Sequence, residues 1–221
     1  MIRLFYCLAV LAALVVPASA DIVKNGQFEG VSGEYIAGVY IWHYIDYLGA
    51  YIDVTANVPD IPDWTVTAGS VDWIGTYWQA PPPGGQSVDL DGNSPGAISQ
   101  DIITHPGQTY WLSFWLAGNP DGGDATKKLE VTVGGASHIF AFDTFGKSKA
   151  DMGWTPLGIS FTATGGSTTI AFASGDGNGS PYGPVIGDVE VRVPGPDFYT
   201  EFALSLSGLG LLMFVRRKRQ T

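Results

Sequence analysis

The chain reads as an all-β sandwich. No helical apolar period lasts more than about two turns, and β-branched and aromatic residues lead the periodic runs. Short strand-like segments alternate with glycine-rich connections throughout. Many short strands at this spacing argue for packed sheets rather than an α/β fold. Strands are expected near 21–24, 39–45, 64–67, 71–74, 86–91, 97–103, 109–116, 127–133, 137–142, 157–163, 168–174 and 184–192.

The chain opens with Met1-Ile2-Arg3, an apolar run from Leu4 to Val16, and Pro17-Ala18-Ser19-Ala20. That is the charged start, apolar core and small-residue cleavage site of a secretory signal, so the exported domain is expected to begin at Asp21. Cys7, the single cysteine, lies inside the apolar run. Without a disulfide, burial alone must hold the domain, which chains of about 150 residues manage by burying roughly 70% of their unfolded surface.

From Asp21 to Val193 there are 19 acidic and 6 basic residues. Such a surface repels phosphate backbones and anionic membranes, which disfavours nucleic acid as a partner. Neutral sugars and divalent cations remain compatible with it.

The densest turn chemistry lies between Pro62 and Gln100, with three of the seven tryptophans. Asp72, Trp73, Tyr77, Trp78 and Gln79 are the candidate ligand-binding residues, because sugars stack apolar faces on flat rings and need fixed polar partners for their hydroxyls. Trp73 shares a strand face with Val71, which equally suits the core. Tyr77 and Trp78 precede the stiff loop Gln79-Ala80-Pro81-Pro82-Pro83-Gly84-Gly85 and are expected to be exposed. Trp42, Tyr44 and Tyr47 either add to a surface or form an edge hairpin; Trp111, Trp115 and Trp154 are expected in the core. Asp89-Leu90-Asp91-Gly92-Asn93 imitates the start of a calcium loop, but Ser94 stands where the sharp-turn glycine belongs and Gln100 where the bidentate glutamate belongs. A strand end followed by a turn fits it better.

Catalysis finds little support. Gly92-Asn93-Ser94-Pro95-Gly96 matches G-x-S-x-G, yet Pro95 has no N–H for an oxyanion hole and strand, not helix, is expected next. His43, His105 and His138 lack metal-site spacing. Paired carboxylates would serve a glycosidase only at a particular separation.

GSVDWIGTYWQ (69–79), SVDLDGNSPGAISQ (87–100), AGNPDGG (117–123) and DMGWTP (151–156) resemble, in order and spacing, the bacterial choice-of-anchor C family. That family is related to a domain of unknown function abundant in plant cell-wall proteins. The resemblance spans roughly 22–193 and implies an extracellular jelly-roll β-sandwich of the galactose-binding-like, carbohydrate-binding-module kind, without established catalysis. In such modules an N-G-x-F-E opening strand, here Asn25 to Glu29, lies beside a closing strand like Pro184 to Val191. The two share a structural Ca²⁺, and the resemblance carries Glu29 and Asp188 over as its side-chain ligands; calcium's demand for six to eight oxygens is compatible with that.

The tail from Pro194-Gly195-Pro196 through an apolar run at 198–215 to Arg216, Arg217, Lys218 and Arg219 resembles the PEP-CTERM sorting signal of exopolysaccharide producers, with Gly195 in place of the family's glutamate. The resemblance implies recognition by an exosortase in the inner membrane. The basic end holds the tail on the cytoplasmic side. Phe202 to Val215 reaches only about 21 Å as a helix against a hydrocarbon core of about 30 Å, so the expected single transmembrane helix spans marginally with 198–201 included. This suits transient retention followed by processing; the alternative is a permanent anchor. The expectation is an exported, non-catalytic cell-surface or matrix protein that binds polysaccharide. The alternatives are a structural matrix protein without glycan binding and a glycan-active hydrolase.

Overall fold

The structure, a computed structural model, describes residues 20–30, 35–36, 39–40, 51–55, 61–177 and 179–195. Most of the expected signal segment 1–20, the apolar tail 198–215, Pro196, Arg216 to Arg219, and Trp42, Tyr44 and Tyr47 lie outside the described residues. Among the described residues no helix is long and apolar enough to cross a membrane. Residues 20–193 form one compact unit.

Thirteen strands are described: β1 (Tyr35–Ile36), β2 (Val39–Tyr40), β3 (Tyr51–Thr55), β4 (Thr65–Ala68), β5 (Ser70–Ile74), β6 (Ser87–Asp89), β7 (Ala97–Ile103), β8 (Thr109–Gly118), β9 (Thr126–Val133), β10 (Ala136–Asp143), β11 (Thr155–Thr162), β12 (Ser167–Ser174) and β13 (Pro184–Arg192). Among the described residues β1 and β2 pair with each other. The rest build two antiparallel sheets, one of order β10-β9-β12-β7-β4 and one of order β11-β8-β13-β6-β5-β3. From β6 to β13 the chain steps repeatedly between the two sheets, the winding of a jelly roll.

Alternation sets the packing. β8 buries Tyr110, Leu112, Phe114 and Leu116 and β12 buries Ile170 and Phe172, while the residues between them are less buried. Edge-on contacts of Phe114 with Phe140 and Phe172, at 5.5 and 5.3 Å, join the sheets. Side chains two residues apart on a strand share a face, and each face led by Leu, Val or Phe faces the core.

Two strand expectations differ from the fold. Residues 21–24 are not a strand: Asn25 and Phe28 take left-handed φ of 48° and 53°, and the segment runs irregularly beside β13. It is held there by Ile22 N–H to Val191 O (3.0 Å) and Val189 N–H to Gly26 O (2.8 Å), across the bulge between Gly187 and Glu190. β3 falls in a segment for which the sequence pattern predicts no strand, and it extends the six-stranded sheet by pairing with β5.

Trp111 and Trp115, expected in the core, are a clearer correction. They occupy the odd-numbered positions of β8, opposite in parity to Leu112, Phe114 and Leu116, and are half-buried on the outer face of the six-stranded sheet. Trp154 is half-buried against the core's edge and donates its indole N–H to Gln79 O at 3.0 Å.

Trp64 shows what the burial is worth. It is 2% exposed, lies 5.2 Å from the Phe28 ring and 6.1 Å from Phe172, and donates Nε1–H to Asn25 O at 3.0 Å. Trp64→Ala is expected to cost about 3–5 kcal/mol in urea unfolding. Trp64→Phe is expected to cost roughly 1–3 kcal/mol, because it keeps most of the volume but strands the Asn25 carbonyl.

Candidate functional site

One end of the sandwich gathers the β5–β6 loop, the 91–95 turn, and the β8–β9 and β12–β13 loops. Between them lies a pocket of about 400 Å³ lined by Asp72, Ile74, Tyr77, Trp78, Gly92, Asn93, Asn119, Asp121, Pro181 and Tyr182. That volume lies in the ~300–1,000 Å³ range of small-molecule sites. Three aromatic side chains, two carboxylates and two carboxamides meet in it.

Of the five residues expected to bind ligand, Asp72, Tyr77 and Trp78 reach the pocket; Trp73 and Gln79 do not line it. Trp73 is 1% exposed and donates Nε1–H to Phe28 O at 2.8 Å, so it belongs to the core, as its parity with Val71 allows. Gln79 fastens two loops. Its Oε1 accepts from Met152 N–H (2.9 Å), its N–H donates to Lys149 O (2.8 Å), and its carbonyl takes the Trp154 indole.

Tyr77 and Trp78 are less open than expected. Trp78 is 5% exposed and donates Nε1–H to Ser87 Oγ at 2.9 Å. Tyr77 is half-buried, with its ring 5.6 Å from Trp78 and the Lys149 ammonium 3.8 Å from its centroid. Its hydroxyl donates to Asp121 Oδ2 at 2.7 Å and accepts from Lys149 Nζ, while Lys149 pairs with Asp121 at 3.0 Å. The Lys149 hydrogen bond pulls the phenol pKa down, but the Asp121 hydrogen bond, burial and the Asp121 charge together leave it raised. Asp121 therefore joins a three-part polar lock on the pocket wall.

Behind the pocket lies a buried ionic group that local pattern did not single out. Lys127 is 1% exposed and occupies an inward position of β9 in line with Leu129, Val131 and Val133. An ammonium taken out of water must find oxygens; Nζ donates to Gly122 O (2.8 Å) and Tyr182 O (2.6 Å), one from each of two pocket-forming loops. Gly122 admits the Tyr182 ring so closely that a Cβ there would sit 2.7 Å from it. Burial lowers the Lys127 pKa, against the charges of Asp176, Asp89, Asp91 and Asp124.

Asp89 and Asp91 are fully buried. Asp89 accepts from Asp91 N–H (3.0 Å), Gly183 N–H (3.1 Å) and Asn119 Nδ2–H (2.7 Å). Burial still pushes its pKa up to about 7. Asp91 is pushed up to about 6, again by burial first; the nearby Ser174 hydroxyl tempers this without a hydrogen bond of normal geometry to either carboxylate oxygen. Asp72 lies directly opposite Asp89 in strand register. The segment expected to be a strand end and turn thus places two acids in the interior.

Glu29 is exposed, whereas Asp188 is buried at a left-handed φ of 48° and accepts from Gln27 Nε2 at 3.2 Å. The carboxylates that feel the Asp188 charge are Asp21 and Glu190, with Arg192 beside them. No group of three or more His, Cys, Asp or Glu that could hold a metal ion occurs among the described residues. Of the residues expected to form a sorting signal, Pro194 and Gly195 are half-buried, shortly after the last strand.

The G-x-S-x-G segment is a turn between β6 and β7, bridged from Asp91 to Pro95, and Ser94 N–H donates to Ser70 Oγ at 3.1 Å. Among the described residues, those lining the pocket include no serine, cysteine or histidine. What the pocket offers is planar rings, hydrogen-bond acceptors and amide donors.

A family model described as "Protein of unknown function (DUF642)" matches residues 49–192. Halomucin of Haloquadratum walsbyi is 26% identical over 174 residues, 77% of this chain, and the chain spans 2% of that protein's length. Among solved structures, a family 35 carbohydrate binding module from Clostridium thermocellum has a TM-score of 0.43 at 19% identity, covering 64% of this chain and 97% of the module. The CBM22-1 xylan-binding domain of Paenibacillus barcinonensis Xyn10C has a TM-score of 0.42 at 16% identity, covering 66% and 95%.

The buried acids generate a pH prediction. A carboxylate whose folded pKa lies above its unfolded value near 3.8 binds more protons in the folded state, so its contribution favours folding at low pH and is lost as pH rises through the folded pKa. Thermal melts are expected to show a stability component from Asp89 and Asp91 that declines between about pH 4 and 7. Asp89→Asn should flatten that slope, whereas an unchanged slope would place the titration elsewhere.

Proposed function

The chain belongs to the DUF642 family, and from that premise we propose that it is an exported, non-catalytic surface or matrix protein whose jelly-roll domain binds polysaccharide at the pocket beside Tyr77, Asn93 and Tyr182. The observation that carries this reading is the lining itself. Rings beside carboxylates and carboxamides match the alternating C–H faces and hydroxyls of a sugar. The excess of 19 acidic over 6 basic residues from 21 to 193 favours a neutral ligand over an anionic one.

The occupation of the wall groups supports binding rather than turnover. Asp121 is engaged by Lys149 and Tyr77, and a glycosidase would need two carboxyl groups free to act across a cleft. Export rests on the sequence: the apolar leader before Asp21 and the tail from Pro194 to Arg219, which we read as an exosortase sorting signal held transiently in the inner membrane.

The test is a polysaccharide array probed with the purified chain and two pocket variants that leave the core intact. Asn93→Ala and Tyr182→Ala are each expected to weaken binding by about 1–3 kcal/mol, that is roughly 5- to 150-fold. A folded chain that binds no polysaccharide on the array would turn the reading toward a structural matrix role.

A further inference from the structure

We infer that the glycan site does not end at the pocket but continues along the outer face of the six-stranded sheet, where Trp111 and Trp115 form a second aromatic platform for an extended polysaccharide chain. This rests on the polysaccharide reading above and gives it a substrate class: the interior of a polymer rather than a terminal sugar.

The platform follows from β8. Its odd positions, Trp111, Ser113 and Trp115, are half-buried on the outer face, while the even positions are core. Residues four apart on a strand are about 13 Å apart, so the rings are separated by more than one sugar's length. The neighbours across both adjacent strands are small or polar: Ser160, Gly158 and Pro156 on β11, and Arg192, Glu190 and Gly187 on β13. Gly158 matters most, since a Cβ there would sit 2.2 Å from Trp111 Cζ2 and 2.5 Å from Cε2. The indole therefore lies across β11 rather than standing away from the sheet.

Polar partners flank the rings. Glu190 and Arg192 stand opposite Ser113 and Trp111 and pair with each other at 2.5 Å, their side chains 30% and 43% exposed. A carboxylate, a guanidinium and two hydroxyls within one strand spacing of two indoles supply donors and acceptors for sugar hydroxyls.

The platform shares a sheet face with the pocket, with the β5–β6 loop between them. Trp115, Gly187, Ser87 and Ile74 are register partners in one row crossing β8, β13, β6 and β5. Ile74 lines the pocket and Ser87 holds Trp78, another lining residue. Pro81 closes on Gly187 between them, where a Cβ on Gly187 would meet its ring at 2.3 Å. Three strand spacings of about 4.8 Å put Trp115 roughly 14 Å from Ile74. Pocket and platform are thus stations along one sheet face, a distance that only a polymer covers.

Chain length separates the two stations experimentally. Affinities of the purified full chain for xylan, arabinogalactan and a soluble β-glucan are measured against those for their disaccharides, with Trp111→Ala, Trp115→Ala, the double variant, and Asn93→Ala. The double variant is expected to lose about tenfold or more for the polymer it recognises while disaccharide affinity stays within about twofold; Asn93→Ala should weaken both. Trp111→Tyr and Trp115→Tyr keep a ring and should restore most of the polymer binding, which separates stacking from a folding defect. A double variant that binds polymer like the parent, with Asn93→Ala impaired, would overturn the platform and leave the pocket. The reverse pattern would remove the pocket and keep the platform. A parent chain that binds none of these polymers would overturn both.

Discussion

A lysine ammonium enclosed at the end of the sandwich governs the arrangement of the pocket. Lys127 takes a slot that its strand otherwise fills with leucine and valine, and burial leaves it no water to satisfy its protons. It reaches the carbonyls of Gly122 and Tyr182, so the β8–β9 and β12–β13 loops are drawn to one point. Asn119 and Asp121 from the first loop and Pro181 and Tyr182 from the second then face the same space. The acids around Lys127 offset its charge, and in return their own ionisation is suppressed by the same burial.

A second consequence concerns the outer face of the six-stranded sheet. A jelly roll buries the facing surfaces of its two sheets and leaves the outer surfaces to loops or solvent. Here the β5–β6 loop covers part of that face, with Trp78 bonded to Ser87 and Pro81 set against Gly187. The pocket forms at the edge of this cover. Trp111 and Trp115 lie farther along the same face, which makes the aromatic content of β8 a surface property rather than a core property.

Much of this was readable before any fold was known. Alternation placed most strands within one or two residues, and the parity of Val71 with Trp73 pointed to a buried indole. The same parity held the signal for Lys127, which falls in line with Leu129 and Val131, and for Trp111 and Trp115, which fall out of line with Leu112 and Phe114. Both were legible in principle; composition pointed elsewhere, because lysines are rarely fully buried and tryptophans usually are largely so. Tyr182 and Asn93 carried no such signal, since in a turn rich in glycine and proline nothing local says which way a side chain points.

By itself the sequence determined the all-β class, the two-sided alternation, the acidic domain surface and the charged, apolar and basic order of the two ends. Those properties depend on residues near each other in the chain or on sums over it. Tertiary structure decided which aromatics share a pocket, that Gln79 and Asp121 lock loops together, that Asp89 and Asp91 sit in the interior, and that Asp188 lies near Asp21 and Glu190. Most of these depend on residues tens of positions apart or more, and the joining is fixed by strand order and by the oxygens a buried charge must find.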